Sequence, residues 1–506
     1  MGKIIRKLPE YIEGYGKVVP YGTIITKKEK AKLSDVVTKK NSKVISLEEA
    51  IINSGLIDGM TVSFHHHLRN GDYIMELVFK IINKLGIKDL TLSASSISKT
   101  HDCLLEYIKD GTITKIYTSG FRSALANEIQ YNFNLKAPVI FMTHGGRARA
   151  IEDGSISIDV SFVAASCCDK LGNMNGKYGK SAFGAIGYPM VDVKYAKKTI
   201  AITDNLVPIM DKDISIPKDY IDSVVVVESI GNPQLIATGA TRISRNPMDL
   251  LIAKKAANVL IASGYIKENY SFQAGSGVIS LSVCKFIREY MKKNSITGEF
   301  ASGGITANLV DLFEAGLFRK LYDVQTFGSD AISSLNRNEN HIEMSADEYA
   351  NPANKECIVN KLDVMILSAT EIDVNFNINS VTGSDGRMIG ALGGAPDTAA
   401  GAKLTIVVAP SMRKRFPIVV DNVKTICTPG ENIDILVTER GICVNPRRTD
   451  LISILKRNNI VTTSIVTLKN DIYKLTGVPN ILKTGDNIVG IIEYRDGSVL
   501  DIIYDL

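Results

Sequence analysis

Paired cysteines, long apolar runs and a surplus of one charge are all missing from this chain. Its 59 lysines and arginines nearly balance its 54 aspartates and glutamates, leaving a formal net charge of +5 over 506 residues. A nucleic-acid binder would show a one-sided excess, so any basic site has to be local. No apolar stretch approaches the ~20 residues that span a bilayer. Met1 to Gly14 alternates charges with short apolar pairs, unlike a signal peptide, and Arg6 stands where a myristoylation signal wants Ser or Thr. A cytoplasmic location is expected. The seven cysteines are odd in number and form no CxxC pair, so they read as small buried hydrophobes without assigned chemistry. A P-loop, a GxSxG elbow, an HExxH pair and a GxGxxG followed by an acidic residue at ribose distance are also absent. Kinase, hydrolase, metalloprotease and ordinary dehydrogenase readings lose their support.

What is present is a repeated pattern. The first 45 residues are Lys-rich and read as an N-terminal arm, but from Gly59 the pattern sharpens. Thr61 to Phe64 alternates like a strand, and the chain turns through Asn70-Gly71 into a helix capped by Asp72. Ile74, Leu77, Val78, Ile81, Ile82 and Leu85 fall at helical spacing, Gly86 stops the helix, and Thr91 to Ser95 is the next strand. Such a unit implies a parallel sheet with right-handed crossovers. Ser63-Phe64 returns as Ser271-Phe272, 208 residues later. In the same order, Leu104 to Tyr117 returns as Leu309 to Tyr322, Ile158 to Gly179 as Leu362 to Gly383, and Gly184 to Gly187 as Gly390 to Gly393. A nearly constant offset through four matches marks a tandem duplication. The expected architecture is α/β, with two tandem, related open parallel-sheet domains at 46–244 and 245–506, divided near Ser244 to Pro247.

In open parallel sheets ligands bind at the carboxyl ends of strands. The run His65-His66-His67-Leu68-Arg69-Asn70-Gly71-Asp72 puts donors between a strand and a helix start, which suits a carboxylate or phosphate better than a metal, because no Cys, Asp or Glu stands at ligand spacing. Thr143 to Arg149 (THGGRAR) carries two arginines on what reads as a Gly-supported loop, suited to a multiply charged acid; salt bridges to Glu152 or Asp153 are the plainer alternative. Gln273 to Gly277, Ala301 to Thr306 and Val381 to Gly401 are Gly-dense, and such loops bring a ligand close to backbone amides able to hold an oxyanion.

The segments SFHHHLRNGD, THGGRARAIEDGSISIDV, SIGNPQLIATGATRISRNPMDLLIA, FQAGSGVISLSV, FASGGITANLVDLFEAGLF and NFNINSVTGSDGRMIGALGGAPDTAAGAKL resemble the CoA-transferase superfamily, most closely citrate lyase alpha chains. The resemblance runs from about residue 50 to 450. It implies a transferase that exchanges acetate for citrate on a thioester, with acetyl-CoA or a phosphopantetheine-type acyl carrier as thioester substrate and no cofactor attached to this chain. The implied partners are a beta subunit that cleaves citryl thioester and a gamma acyl carrier subunit, in an oligomer without nucleic acid, membrane or metal. Whether citrate or citramalate is preferred stays open.

One departure bears on mechanism. In the better-known branch of the superfamily a glutamate before the VDL-E-x-G segment is acylated by the thioester; aligned through Leu309 to Gly316, its place falls on Gly303. Direct attack by the bound acid is therefore expected. The roles expected are Gly303, Gly304 and Asn377 in catalysis, and Arg69, Arg147, Arg149 and Arg242 holding the acid. Gly275, Ser276, Gly277, Gly393 and Gly394 are expected to line the thioester passage. The competing readings are a covalent-intermediate transferase or hydrolase for short acyl-CoA, and a non-catalytic sugar-phosphate-type binding protein.

Overall fold

The computed structural model describes residues 6–23, 25, 28–33, 43–236, 243–480 and 483–506. Arg242 lies outside them.

Local chemistry sets the elements. Ser46 accepts from the Glu49 amide at the head of helix Leu47–Ser54, and the Asp72 carboxylate accepts from the Ile74 amide at the start of Ile74–Lys84. That helix buries Ile74, Val78 and Ile82 on one face, as its spacing foretold. Strands Val139–Met142 and Val160–Ala165 are buried at every position, the mark of parallel strands covered on both faces.

Two large sheets result. In the first, the parallel strands stand in the order Val139–Met142, Ile113–Thr118, Leu90–Ala94, Thr61–Phe64, Val160–Ala165, Lys198–Thr203 and Ser223–Val226. In the second the order is His341–Glu343, Phe318–Phe327, Gly298–Thr306, Ser271–Ala274, Val364–Ser368, Leu404–Val408 and Ile435–Val437. The two orders are the same when read through the duplication. Each half also carries a small three-stranded sheet of one design, Met174–Asn175, Cys167–Asp169 and Leu206–Val207 against Ile378–Asn379, Glu371–Asp373 and Val419–Val420.

The expected boundaries need two changes. Strands Ile488–Glu493 and Val499–Tyr504 form an antiparallel hairpin that joins the edge of the first sheet, with Gly490 in register with Val139. The unit expected at 245–506 thus returns its last strands to the first half. The expected arm is also partly packed, since Ile12 and Val18 are buried with Ile491, Val499 and Ile502, while Lys43–Ile45 forms the opposite edge strand of the first sheet. Among the described residues no helix is long and apolar enough to cross a membrane.

Two segments read as loops are regular. Thr143 caps a helix, His144–Glu152, by accepting from the Gly146 amide. Ala301 to Thr306 continues strand Gly298–Thr306.

Candidate active site

The carboxyl ends of strands from both sheets open onto one cavity of about 440 Å³. The first half contributes His66, Arg69, Asn70, Ser96, Ser98, Ser119, Arg122, His144 and Tyr188. The second contributes Gln273 to Ser276, Gly304, Val324, Gln325, Phe327, Tyr349, Met365, Leu367 and Ala391 to Ala395. Among the described residues this lining includes two arginines and no aspartate or glutamate.

Backbone bonds stitch the halves at its wall: the Leu392 amide donates to the Ser119 carbonyl (2.7 Å) and the His144 amide to the Gly393 carbonyl (3.0 Å). The Thr143 hydroxyl donates to Asp397 (2.8 Å), which also accepts from the Gly145 amide (3.0 Å). Burial, opposed by Arg495, pushes the Asp397 carboxyl up to about 6.

Three rings cluster in the first-half wall. His66 lies 5.5 Å from His144 with planes 12° apart, and Tyr188 contacts both, at 4.7 and 4.6 Å. His66 is held by Ser95 Oγ on Nδ1 (2.6 Å) and by Gln325 Oε1 on Nε2 (3.1 Å), a bond that crosses between halves. Burial drives His66 well below the ordinary imidazole value, and it takes His144 down to about 3, with Arg147 adding to the effect.

Arg69 and Arg122 are the cations of the cavity. Arg69 adopts φ 57° and lays its guanidinium over the Phe327 ring, 4.1 Å from the centroid. Its Nη1 and the Arg122 Nε are buried without a hydrogen-bond partner, and among the described residues neither arginine has an ion-pair partner. Burial lowers Arg69 to about 10, partly offset by Tyr188, and lowers Arg122 too. Both stay charged at neutral pH. Half-buried cations without a counter-ion among the described residues make a site that an anion completes.

The expected residues divide. Arg69, Gly275, Ser276, Gly304, Gly393 and Gly394 line the cavity. Gly303 sits beside it at φ 103°, at a bulge where Gly303 pairs with Asp323 and Gly304 with Gln325, leaving Val324 as the extra residue. A Cβ on Gly303 would come within 2.4 Å of the Gln273 side-chain nitrogen, so no larger residue fits there without displacing the bonds of Gln273 to Tyr349 and Ser302. Gly277 is off the lining, close against Ser368 Oγ.

Three expectations are corrected. Arg147 is buried with both terminal nitrogens on Asp192 (2.8 and 2.6 Å), and it also donates to Ser93. Burial alone would raise the Asp192 carboxyl, but Arg147 and His65 outweigh it and hold it well below the carboxylate range. Arg149 is taken by Asp153 and Glu493 (2.6 and 3.0 Å), so the salt-bridge alternative holds for it. Asn377 is a structural staple: Nδ2 donates to Asp373, and Oδ1 accepts from the Gly430 amide. None of the three faces the cavity. In the histidine run, His65 pairs with Asp192 and His67 with the Ala164 carbonyl, leaving His66 to the site. Arg122, His144, Tyr188 and Gln325 were not singled out for the site from sequence. Arg122 follows strand Ile113–Thr118 at its carboxyl end, the one available signal.

A family model described as citrate lyase, alpha subunit, matches residues 40–506. The citrate lyase alpha chain of Haemophilus influenzae is 49% identical over 93% of this chain and 94% of its own length. That of Escherichia coli is 48% identical over 91% and 90%. A crystal structure of an alpha subunit of citrate lyase in complex with citrate, from Streptococcus mutans, superposes with a TM-score of 0.95 at 45% identity, covering 100% of this chain and 99% of that one. The alpha subunit of a malonate decarboxylase from Acinetobacter baumannii shares the fold at 14% identity, with a TM-score of 0.64 over 85% of this chain and 92% of its own.

Proposed function

Since the chain belongs to the citrate lyase alpha subunit family and is an enzyme, a citrate CoA-transferase, we propose that it transfers the thioester from acetate to citrate by direct attack, without acylating itself. A citrate carboxylate oxygen attacks the acetyl carbonyl carbon, and the tetrahedral oxyanion collapses with loss of the thiolate, leaving a mixed anhydride. The thiolate then attacks the citryl carbonyl of that anhydride and acetate leaves. One negative charge passes from citrate to sulfur to acetate, so no net proton is needed.

The observation that carries this reading is a cavity whose lining, among the described residues, holds two guanidiniums without ion-pair partners and no carboxylate. Arg69 and Arg122 would hold carboxylates of the acid, each presenting a planar fork. Gly304, Gly393 and Gly394 would let the thioester lie against backbone, and Gly275 and Ser276 would border its arm. What remains for the protein is orientation and oxyanion stabilisation. Membership in the family implies a complex with beta and gamma subunits; the gamma subunit would carry the thioester on a phosphopantetheine-like arm, and both should co-purify with the native chain.

The test uses acetyl thioester labelled in the acetyl group, incubated with the chain and quenched with hydroxylamine or borohydride. The expected result is unlabelled, unmodified protein. A glutamyl hydroxamate or a reduced glutamate would overturn direct attack. A panel of citrate, citramalate and acetate as acceptors then fixes acid preference.

A further inference from the structure

His144 begins a helix at the cavity wall, with its ring packed against His66 and Tyr188 and its backbone amide tied to the Gly393 carbonyl across the two halves. Its Nδ1 is buried and has no hydrogen-bond partner. Its ring lines the cavity, and a Cβ placed on Gly393 would lie 3.8 Å from Nε2. A neutral imidazole carries one proton. A buried N–H without an acceptor is rarer in proteins than a lone pair without a donor, so the proton belongs on Nε2, the nitrogen on the cavity side.

We propose that His144 is a catalytic residue that, as a neutral imidazole, donates a hydrogen bond from Nε2 to the thioester carbonyl oxygen as that oxygen becomes negative. The inference rests on the acyl transfer set out above and adds the donor that the missing carboxylate leaves unspecified. The groups packed against the ring favour neutrality. His66 and Tyr188 flank it, Arg147 stands on its own helix, and Asp397, which bonds Thr143 and Gly145, is itself engaged by Arg495. With burial and the Arg147 charge both opposing protonation, the ring stays uncharged through the physiological range. A neutral donor loses no proton to the oxyanion, so it stabilises the intermediate without trapping it.

The test uses the full chain with acetyl-CoA as thioester probe and citrate as acceptor. His144→Ala should lower kcat about 100- to 1000-fold and leave the KM for citrate within about threefold. His144→Gln, whose amide nitrogen reaches the same place, should recover a large part of the loss. Histidine labelled with 15N, assigned by subtraction of the His144→Gln spectrum, should show the Nε2–H tautomer from pH 5 to 8. An unchanged kcat in His144→Ala, a loss confined to citrate KM, or an imidazolium or Nδ1–H signal would overturn the proposal. If trapping found an acylated glutamate while His144→Ala still lost kcat, direct attack would fall and the role of His144 would stand.

Discussion

Asp169 with Asn173 in the first half and Asp373 with Asn377 in the second make the same bonds: each asparagine gives its amide hydrogen to the aspartate and accepts a backbone N–H from a distant loop, Lys218 in one half and Gly430 in the other. Asp159 and Asp363 repeat each other as well, accepting from the Thr61 and Ser271 amides and pairing with Lys197 and Lys403. Around the cavity the likeness stops. The first half brings the two arginines and the imidazoles to the lining, with a buried triad of His65, Arg147 and Asp192 behind it; among the described residues the second brings glycines and uncharged side chains, some as large as Phe327, Tyr349 and Met365. Duplication kept the staples that fold each half and released the loops that face substrate, so one copy holds charge while the lining from the other is uncharged.

Substitutions at matched positions sharpen that contrast. The largest effect is expected from Asp192→Ala, which strands the Arg147 guanidinium and the His65 ring; loss of one partner from a buried pair takes about 3 to 5 kcal/mol from stability. Its counterpart Thr398→Ala removes a hydroxyl bonded to the Gly394 and Ala395 carbonyls and should take only about 1 kcal/mol. Equal urea midpoints for the two variants would break the contrast. Next, Arg69→Ala and Arg122→Ala should each lower kcat/KM for citrate by roughly 10- to 150-fold, the equivalent of about 1.5 to 3 kcal/mol for hydrogen bonds to charge, while melting temperatures hold or rise. Steady-state rates against citrate concentration check this. Asn173→Ala and Asn377→Ala should then destabilise alike, by about 1 to 3 kcal/mol, with kcat preserved in both below their melting ranges. A selective loss of kcat in Asn377→Ala would return that residue to catalysis.

The smallest effect concerns acid. Burial holds His67 and His144 down to about 3, so the folded protein binds fewer protons than the unfolded chain, where these groups titrate near the ordinary 6.5. Their stabilising contribution is whole above pH 6.5 and falls as pH drops toward 3, by about 1 kcal/mol each between pH 6.5 and 5.5. Both lie in the first half. Urea midpoints at the two pH values should show the drop, and His67→Gln should lessen it.

The repeated strands and helices were legible because burial imposes a period, and the duplication let one copy confirm the other. Glycine misled in two places. Gly145 and Gly146 read as loop, yet the Thr143 cap and close packing against Ala350 and Arg495 make helix of them. Gly303 and Gly304 also read as loop, yet they lie inside strand Gly298–Thr306, opposite the bulge at Val324 of its neighbour. Arg147 and Arg149 looked available because sequence shows nearby acids such as Asp153 but not Asp192 or Glu493, which the fold brings from afar. For Arg122 the reverse holds: its importance lies in having no ion-pair partner among the described residues, which no local pattern records.

The hairpin Ile488–Glu493 and Val499–Tyr504 has a kinetic consequence. Arg149 bonds to the Arg495 carbonyl across 346 positions of sequence, and strand Val139–Met142 gains its outer neighbour only when that hairpin has been synthesised. Until then a nascent chain exposes a bare, wholly apolar strand edge, the kind that recruits other chains. Translation speed and chaperone supply should therefore govern the yield of this protein more than the stability of either half.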